Sequence, residues 1–219
     1  MIFRMKIKSK DYHDYVIKNG KFIGAFEQMY QNVEDPWNVG NAAQIPYDIA
    51  LYLLKKIDAC SKGGNVLDVG CGLGTFTARL KKQMPKAKII AVDVSPTAIK
   101  KARRRYGNLG IEFKVLDIQK EYTNIKNTFD LIVLSQIMWY VLPDFEKIVN
   151  YLGARCLTTN GYFLVSQAFY KPEEQKYGKK IVSTVEDMLN LIHMDVVEMI
   201  EVNRFTNHDA VILFRKRVN

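Results

Sequence analysis

The residues best suited to chemistry in this chain crowd into one short run, Asp68-Val69-Gly70-Cys71-Gly72-Leu73-Gly74-Thr75, and two acids that follow it. Glycines at alternate positions let the backbone turn at positive φ and approach a ligand closely. A helix beginning at Thr75 would offer free N–H groups to a carboxylate or phosphate. Such a loop alone is a weak sign, because tight turns use the same residues. Asp93 lies 19 residues beyond Gly74, directly after the apolar run Lys88–Val92. An acid about 20 residues downstream accepts hydrogen bonds from a ribose diol; the competing role is a cap beside Ser95. Asp117 closes a third run, Val115-Leu116-Asp117-Ile118, where a side chain would meet the exocyclic amine of an adenine. Two details select among adenosine ligands. Thr75 stands where a dinucleotide fingerprint wants its third glycine. Asp68, two residues before Gly70, would repel a pyrophosphate and suit a cationic amino group.

Strands must carry these residues to one edge. From Ile45 onward, Ile49, Leu53, Ile57 and Cys60 recur at helical spacing until Gly63-Gly64 stops the helix. Asn65–Val69 is then a buried strand, Thr75–Met84 a helix ended by Pro85, and Lys88–Val92 a second strand. Ser95 suits an N-cap, Pro96 the first helical position and Gly107 the helix end. Ile111–Leu116 and Phe129–Leu134 read as strands, followed by a helix with Phe145, Ile148, Val149, Leu152 and Cys156 inward, then the strand Tyr162–Ser166. A helix over Thr184–His193 precedes Val196–Val202 and Ala210–Phe214, whose turn-forming linker Asn203–Asp209 suggests an antiparallel pair. Strands alternating with helices give an α/β, doubly wound, mostly parallel sheet, with ligands beyond the carboxyl ends of its strands. The loops after Val69, Val92, Leu116 and Leu134 therefore matter most.

The run VLDVGCGLGTF resembles the first motif of the class I S-adenosylmethionine-dependent methyltransferases, AVDVSPTAIKKAR their second, VLDI their third, FDLIVLSQIMWYVLPD their fourth and GYFLVSQ their fifth strand. The resemblance covers roughly residues 45–215. It implies a Rossmann-like sheet of seven strands with an antiparallel last strand, and S-adenosylmethionine as cofactor. It implies that Gly70, Cys71, Gly72 and Gly74 line the methionine end, Asp68 holds the amino group and Asp93 the ribose. Val94 would face the adenine, Asp117 and Ile118 its edge, and Ser135 the methionyl moiety. Glu34-Asp35-Pro36-Trp37 is similar to a segment of the NodS-like enzymes, which methylate saccharide or nucleotide-linked substrates. Tyr30 and Trp37 are read as a lid over the methyl group, which puts Trp37 at the cofactor, or else as a staple of this segment onto the core. Residues 1–44, aromatic and read as short helices and loops, are expected to form a helical cap over the domain at 45–219.

With a sulfonium donor the protein mainly aligns an acceptor and excludes water. The acceptor-side candidates are Gln136, Trp139 and Tyr140 after the fourth strand, Tyr170 in the polar loop Ala168–Lys180, and Tyr30 in the cap. Tyr140 is the candidate to position an acceptor or relay a proton, although each aromatic has a plain packing alternative. His13, His193 and His208 are scattered and no metal cluster is readable, so neither a histidine base nor a metal is expected. The run Lys100-Lys101-Ala102-Arg103-Arg104-Arg105 tempts a nucleic-acid reading. Its helix buries Ala98, Ile99, Ala102 and Tyr106, however, which puts the basic residues on a solvated outer face.

Base-amine methyltransferases carry Asp/Asn-Pro-Pro-aromatic where this chain has Leu134-Ser135-Gln136, and no cysteine stands there for attack on a base carbon. Among the 219 residues, 32 basic and 23 acidic side chains give a net charge of +9, which fits an anionic small substrate as well as nucleic acid. The N-terminal ten residues lack the apolar core of a signal peptide. No run has the length to span a membrane. Three separated cysteines suit a reducing compartment, so a cytoplasmic location is expected, as a monomer or homodimer. The sequence thus points to methyl transfer onto O or N of a small polar acceptor: a saccharide, nucleotide-linked sugar or phosphate-containing surface-polymer precursor. RNA methylation, a nicotinamide-dependent oxidoreductase and an inactive cofactor-binding subunit are the alternatives.

Overall fold

In a computed structural model, residues 9–40, 44–57, 60, 62–171, 173–204 and 207–217 are described. Residues 1–8, on which the signal-peptide expectation rested, lie outside that set. The central sheet has seven strands: β3 (Gly64–Val69), β4 (Ala87–Asp93), β5 (Glu112–Val115), β6 (Phe129–Ser135), β7 (Leu157–Tyr170), β8 (Asp195–Asn203) and β9 (Asn207–Arg215). Their spatial order is β5-β4-β3-β6-β7-β9-β8. The chain winds outward from β3 in one direction through β5 and in the other from β6. Strand order therefore reverses between β3 and β6, where Val69 pairs with Leu134 and the glycine loop begins. β9, the last strand, runs antiparallel between β7 and β8, as the predicted hairpin required.

Helices α2 (Ile45–Lys56), α3 (Thr75–Gln83), α4 (Pro96–Tyr106), α7 (Phe145–Tyr151) and α8 (Val185–Asn190) accompany the sheet, with one-turn helices α5 (Ile118–Glu121) and α6 (Met138–Val141) at its carboxyl edge. Two apolar clusters hold the layers, one of Leu53, Phe76, Leu80 and Ile99, the other of Phe129, Phe145, Ile148 and Phe214. Each fully buried side chain of this size contributes about 1.5–3 kcal/mol. The start of α4 follows its sequence: the Ser95 hydroxyl accepts from Ala98 N at 3.0 Å and Pro96 occupies the first turn. The inward helix expected through Cys156 is α7 only to Tyr151, continuing as a wide π turn over Leu152–Cys156. β7 extends beyond Tyr162–Ser166 at both ends: β9 pairs with it as far as Tyr170, and Leu157 pairs with Phe129 of β6.

The amino-terminal segment adds a hairpin to the expected short helices and loops. A 3-10 turn (Tyr12–Asp14) leads into a hairpin of β1 (Ile17–Lys18) and β2 (Lys21–Phe22), and only then comes helix α1 (Phe26–Asn32). Asn19 and Gly20 both adopt positive φ, 52° and 73°, the geometry that an Asn-Gly hairpin turn requires. Several of the segment's side chains pack inward on their own chain. Tyr15 and Met29 are fully buried and Tyr30 nearly so, against Leu73 and Ala98.

Candidate functional site

The glycine loop is shaped by its neighbours as much as by its own sequence. Gly70, Gly72 and Gly74 have φ of 74°, 53° and 77°, a region that disfavours any residue with a Cβ. A Cβ on Gly70 would stand 2.4 Å from the Ile137 side chain, and one on Gly72 would meet the Tyr30 hydroxyl at 2.8 Å. Gly70 N and Cys71 N both donate to Val92 O, at 2.8 and 3.0 Å, drawing the loop onto the end of β4. There Asp93, 8% exposed, bridges two segments: one oxygen accepts from Gly72 N and the other from Ser95 N, each at 2.9 Å. Both the ribose reading and its capping alternative thus fall on one side chain, whose oxygens each keep a lone pair. Burial pushes the Asp93 carboxyl above its ordinary range.

Asp68 is buried beneath the loop and accepts the Thr77 hydroxyl at 2.5 Å. Burial raises it to about 6, Thr77 opposing the shift and Asp93 adding to it. Cys71 is driven strongly upward by burial and the two acids, which leaves it a neutral thiol. Val94 is exposed and Ile118 buried on the same edge. Asp117 is committed locally: it caps α5 through Gln119 N at 3.2 Å and pairs with Lys120. The Ser135 hydroxyl, at the end of β6, is buried without a hydrogen-bond partner.

These features suit an adenosyl amino acid. The glycines give a close backbone approach, Asp93 keeps free lone pairs at the end of β4, an ionisable Asp68 lies beneath, and among the described residues the Ser135 hydroxyl is left without a partner. Among the described residues there is no group of three or more metal-ligating side chains.

The cap carries the second wall of the cleft. Asp35 accepts from Val39 N at 3.2 Å and Gly40 N at 2.9 Å, forming the turn that presents Trp37. The Trp37 indole donates to the Tyr30 hydroxyl at 2.9 Å, and its ring lies 4.8 Å from Tyr12 and 5.7 Å from Tyr140. Phe26 meets Tyr140 edge-on at 5.2 Å. Tyr140, Tyr12, Phe26 and Trp37 therefore pack into one aromatic cluster, with Tyr170 near enough to affect both phenols electrostatically. Burial, then Tyr170 and Tyr12, push the Tyr140 phenol far up. At neutral pH it is a hydrogen-bond donor and a poor proton acceptor. Its hydroxyl makes no hydrogen bond within the described residues. His13 stacks on Tyr12 at 4.0 Å but is held by Asp11 at 2.7 Å with its side chain 59% exposed.

The structure gives several of these residues further contacts. Tyr30, expected on the acceptor side, has its hydroxyl against Gly72 and feels Asp93. Gln136 sits at φ 60° and spends its side chain on the neighbouring strand, accepting from Ala168 N at 3.0 Å and donating to Ser166 Oγ at 3.3 Å. The Trp139 indole donates to Ala168 O at 2.8 Å and is buried. Gln136 and Trp139 are therefore both tied to β7 by their side chains.

The basic helix face is not simply solvated either. Lys101 donates to Tyr30 O and Val33 O at the end of α1, at 2.8 and 3.0 Å. Arg103 donates to Phe113 O, and Lys101 and Arg105 pair with Glu34 at 2.9 and 2.8 Å. The tail basics are tied down as well, Lys216 to Ala154 O and Arg217 to Asp195.

One residue that sequence reasoning missed joins the two walls. Glu27, on α1, accepts the Ser95 hydroxyl at 2.5 Å, the Thr97 hydroxyl at 2.6 Å and Thr97 N at 3.1 Å. Those donors outweigh burial and hold its carboxyl below the usual value. The loop after β7 also reaches the cap, where Tyr177 stacks on Phe22 at 5.8 Å.

Comparison with known proteins agrees with this architecture. The methyltransferase-domain family matches residues 60–209. The malonyl-[acyl-carrier protein] O-methyltransferase of Acetivibrio thermocellus is 33% identical over 147 residues, 64% of this chain and 51% of that protein. Nodulation protein S of Rhizobium tropici is 27% identical over 192 residues, 84% of this chain and 76% of that protein. Against the Acetivibrio protein and a second malonyl-[acyl-carrier protein] O-methyltransferase, from Ilyobacter polytropus, the chain spans 51% and 58% of their lengths. The crystal structure of the N-methyltransferase NodS from Bradyrhizobium japonicum, solved with S-adenosyl-L-homocysteine, superposes with a TM-score of 0.64 at 20% identity, covering 84% of this chain and 92% of that one.

Proposed function

The chain belongs to the class I S-adenosylmethionine-dependent methyltransferase family, and from that premise we propose that it methylates an amine nitrogen of a small polar acceptor, an amino sugar or a nucleotide-linked amino sugar. The observation that carries this reading is the aromatic cluster beside the glycine loop: its rings are phenols, an indole and a benzyl group, with no ionised base among them. S-adenosylmethionine supplies a methyl group already electrophilic at its sulfonium. The protein's share is then binding, orientation and exclusion of water. Asp68 would hold the cofactor's amino group, Asp93 its ribose hydroxyls, and Val94, Asp117 and Ile118 its adenine; Asp117 would have to loosen its hold on Lys120. Gly70, Cys71, Gly72 and Gly74 would admit the methionine end, with Ser135, Trp37 and Tyr30 closing over it.

An acceptor hydroxyl must lose its proton as it reacts, whereas an amine need only arrive neutral. The protonated Tyr140 phenol suits holding such an acceptor by a hydrogen bond, and aromatic faces tolerate the cation that methylation of an amine creates.

A carboxylate acceptor is the second reading, because the Acetivibrio relative is named as an O-methyltransferase and a carboxylate also needs no base. The absence of any cation among the described residues of the cluster weighs against it. Incubation with methyl-labelled cofactor and a panel of amino sugars, acyl carboxylates and RNA separates these. Label in amino sugars supports the proposal, label in carboxylates alone replaces it, and label in RNA alone overturns the small-molecule reading. The nicotinamide alternative is set aside by the family match. No helix among the described residues is long and apolar enough to cross a membrane.

A further inference from the structure

The sequence carries 32 basic against 23 acidic side chains, and several of the basic ones, such as Lys101, Arg105 and Arg217, are paired within the fold. One face keeps its charge. At the amino ends of β3, β4 and β6, beside the start of β5, lies a cavity of about 460 Å3. This is the edge opposite the glycine loop, and the length of β4 from Ala87 to Asp93 sets the two about 20 Å apart. The charged residues of its lining are Lys81, Lys86, Lys88 and Glu112. Glu112 is already paired with Lys114 at 2.8 Å. Lys81 donates to Pro85 O at 3.0 Å and Ala87 O at 2.7 Å, which leaves its charge without a counterion and one of its donors over. Lys86 and Lys88 make no hydrogen bond or ion pair within the described residues. Asn65, Asn127 and Thr128 add amides and a hydroxyl, and the buried side chains of Ile89 and Phe129 close the inner side. Asp130, next to this wall, spends its oxygens on Asn65 N and the Thr158 hydroxyl, at 2.9 and 3.2 Å.

We propose that this cavity binds a small anion carrying at least two phosphate groups, at a site separate from the methyl-transfer cleft and independent of which acceptor that cleft takes. Three lysine charges face one acid whose own partner lies outside the lining, so a metal cation is repelled and a monovalent anion leaves charge over. An apolar ligand would strip water from ammonium groups with nothing to replace it. A carboxylate is best met by the planar fork of arginine, and no arginine stands among the described lining residues. A phosphate is held well by lysine as a point charge, and the Asn65, Asn127 and Thr128 side chains can donate to its remaining oxygens. The volume falls within the roughly 300–1,000 Å3 of small-molecule sites and exceeds what a single inorganic phosphate fills. A nucleic-acid strand needs a basic track that continues past the cavity. The neighbouring basic helix α4 does not supply one, because Lys101 and Arg105 pair with Glu34 and Arg103 donates to Phe113 O.

Calorimetric titration of the whole protein with sodium pyrophosphate, and separately with ADP, tests the site in the absence and presence of saturating S-adenosylhomocysteine. Saturable binding of both anions is expected, with the same Kd whether or not S-adenosylhomocysteine is present. In Lys86→Glu/Lys88→Glu the Kd is expected to rise about tenfold or more, the loss of charged hydrogen bonds. Both lysines are exposed, so the fold is retained. Asn127→Asp, which keeps the side chain's shape, is expected to weaken binding severalfold. Lys55→Glu/Lys100→Glu makes the same charge change at exposed positions of α2 and α4 and is expected to bind as the wild type does. No binding of either anion, or inorganic phosphate bound as tightly as pyrophosphate, would overturn the site. So would displacement of the anion by S-adenosylhomocysteine, or an equal loss in Lys55→Glu/Lys100→Glu, which would reduce the effect to overall charge. An acidic peptide or a single-stranded RNA that binds more tightly than pyrophosphate would give the cavity to a different partner and overturn it as well.

Discussion

Around the glycine loop, polar groups are partnered with one another: Asp93 with Gly72 N and Ser95 N, Asp68 with Thr77. Around Tyr140 the described polar groups are neutral phenols and an indole, and the Tyr140 hydroxyl makes no described hydrogen bond. The first wall is preorganised by hydrogen bonds and suits a ligand of fixed shape. The second is preorganised by ring packing and leaves its polar atoms for whatever enters. Glu27 ties the walls together by holding the loop after Asp93 from a helix whose other residues, Phe26 and Tyr30, serve both. Cofactor affinity should therefore respond to the first wall and to Glu27, and acceptor selectivity to the second.

That division is open to attack in four places. The largest effect is expected from Asp93→Ala, which frees two backbone donors and removes the ribose partner. S-adenosylhomocysteine affinity should fall by about 2–3 kcal/mol, measured by calorimetry; an unchanged Kd would dissolve the ribose assignment.

Next is Asp68→Asn, whose effects run in opposite directions. Between the model-compound value of 3.8 and about 6, the ligand-free folded protein binds a proton that the unfolded chain has lost. Stability therefore falls as pH rises through that window, by an amount bounded at about 3 kcal/mol. Asp68→Asn should raise the thermal midpoint at pH 7 while weakening S-adenosylhomocysteine binding by about 1–2 kcal/mol. In the wild type, affinity should decline as pH drops below about 6, where Asp68 becomes neutral, and the variant should lack that decline. A parallel decline in both proteins would show that Asp68 does not carry it.

Glu27→Ala should cost about 1–2 kcal/mol in both stability and cofactor affinity, since the donors of Ser95, Thr97 and Gln31 lose their acceptor. A loss of stability with affinity intact would break the proposed link between the walls. The smallest change is expected from Tyr140→Phe, which removes one hydroxyl and keeps the ring packing. Acceptor kcat/KM should drop by about fivefold, near 1 kcal/mol, with cofactor affinity untouched. A variant equal to wild type would return Tyr140 to a packing role.

The two walls also differ in how far the sequence reveals them. The first is local: a strand, a glycine turn and a helix cap lie within a few residues of one another, so Gly70–Gly74, Asp93, Ser95 and Pro96 announce themselves by spacing. The seven-stranded order with its antiparallel β9 follows from the alternation and from the terminal hairpin. The second wall is assembled by contacts distant in sequence. Glu27 meets Ser95 across 68 positions, and nothing near Glu27 distinguishes it from a solvated helix residue. The same blindness misplaces Lys101, Arg103 and Arg105, which look like a solvated stripe until α1 and β5 are laid against them. Gln136 and Trp139 stand beside the cleft in sequence, but their side chains are committed to hydrogen bonds with β7. Within the cap itself, Asn19-Gly20 between two β-capable pairs specifies the hairpin.

The central claim is that the partnered wall is a site for an adenosyl amino acid, and titrating S-adenosylhomocysteine into the wild-type protein tests it most directly. The account predicts saturable heat at one site per chain, with affinity lost on lowering the pH below about 6, where the Asp68 carboxyl gains its proton. No heat of binding, or binding indifferent to both pH and Asp93→Ala, would contradict it.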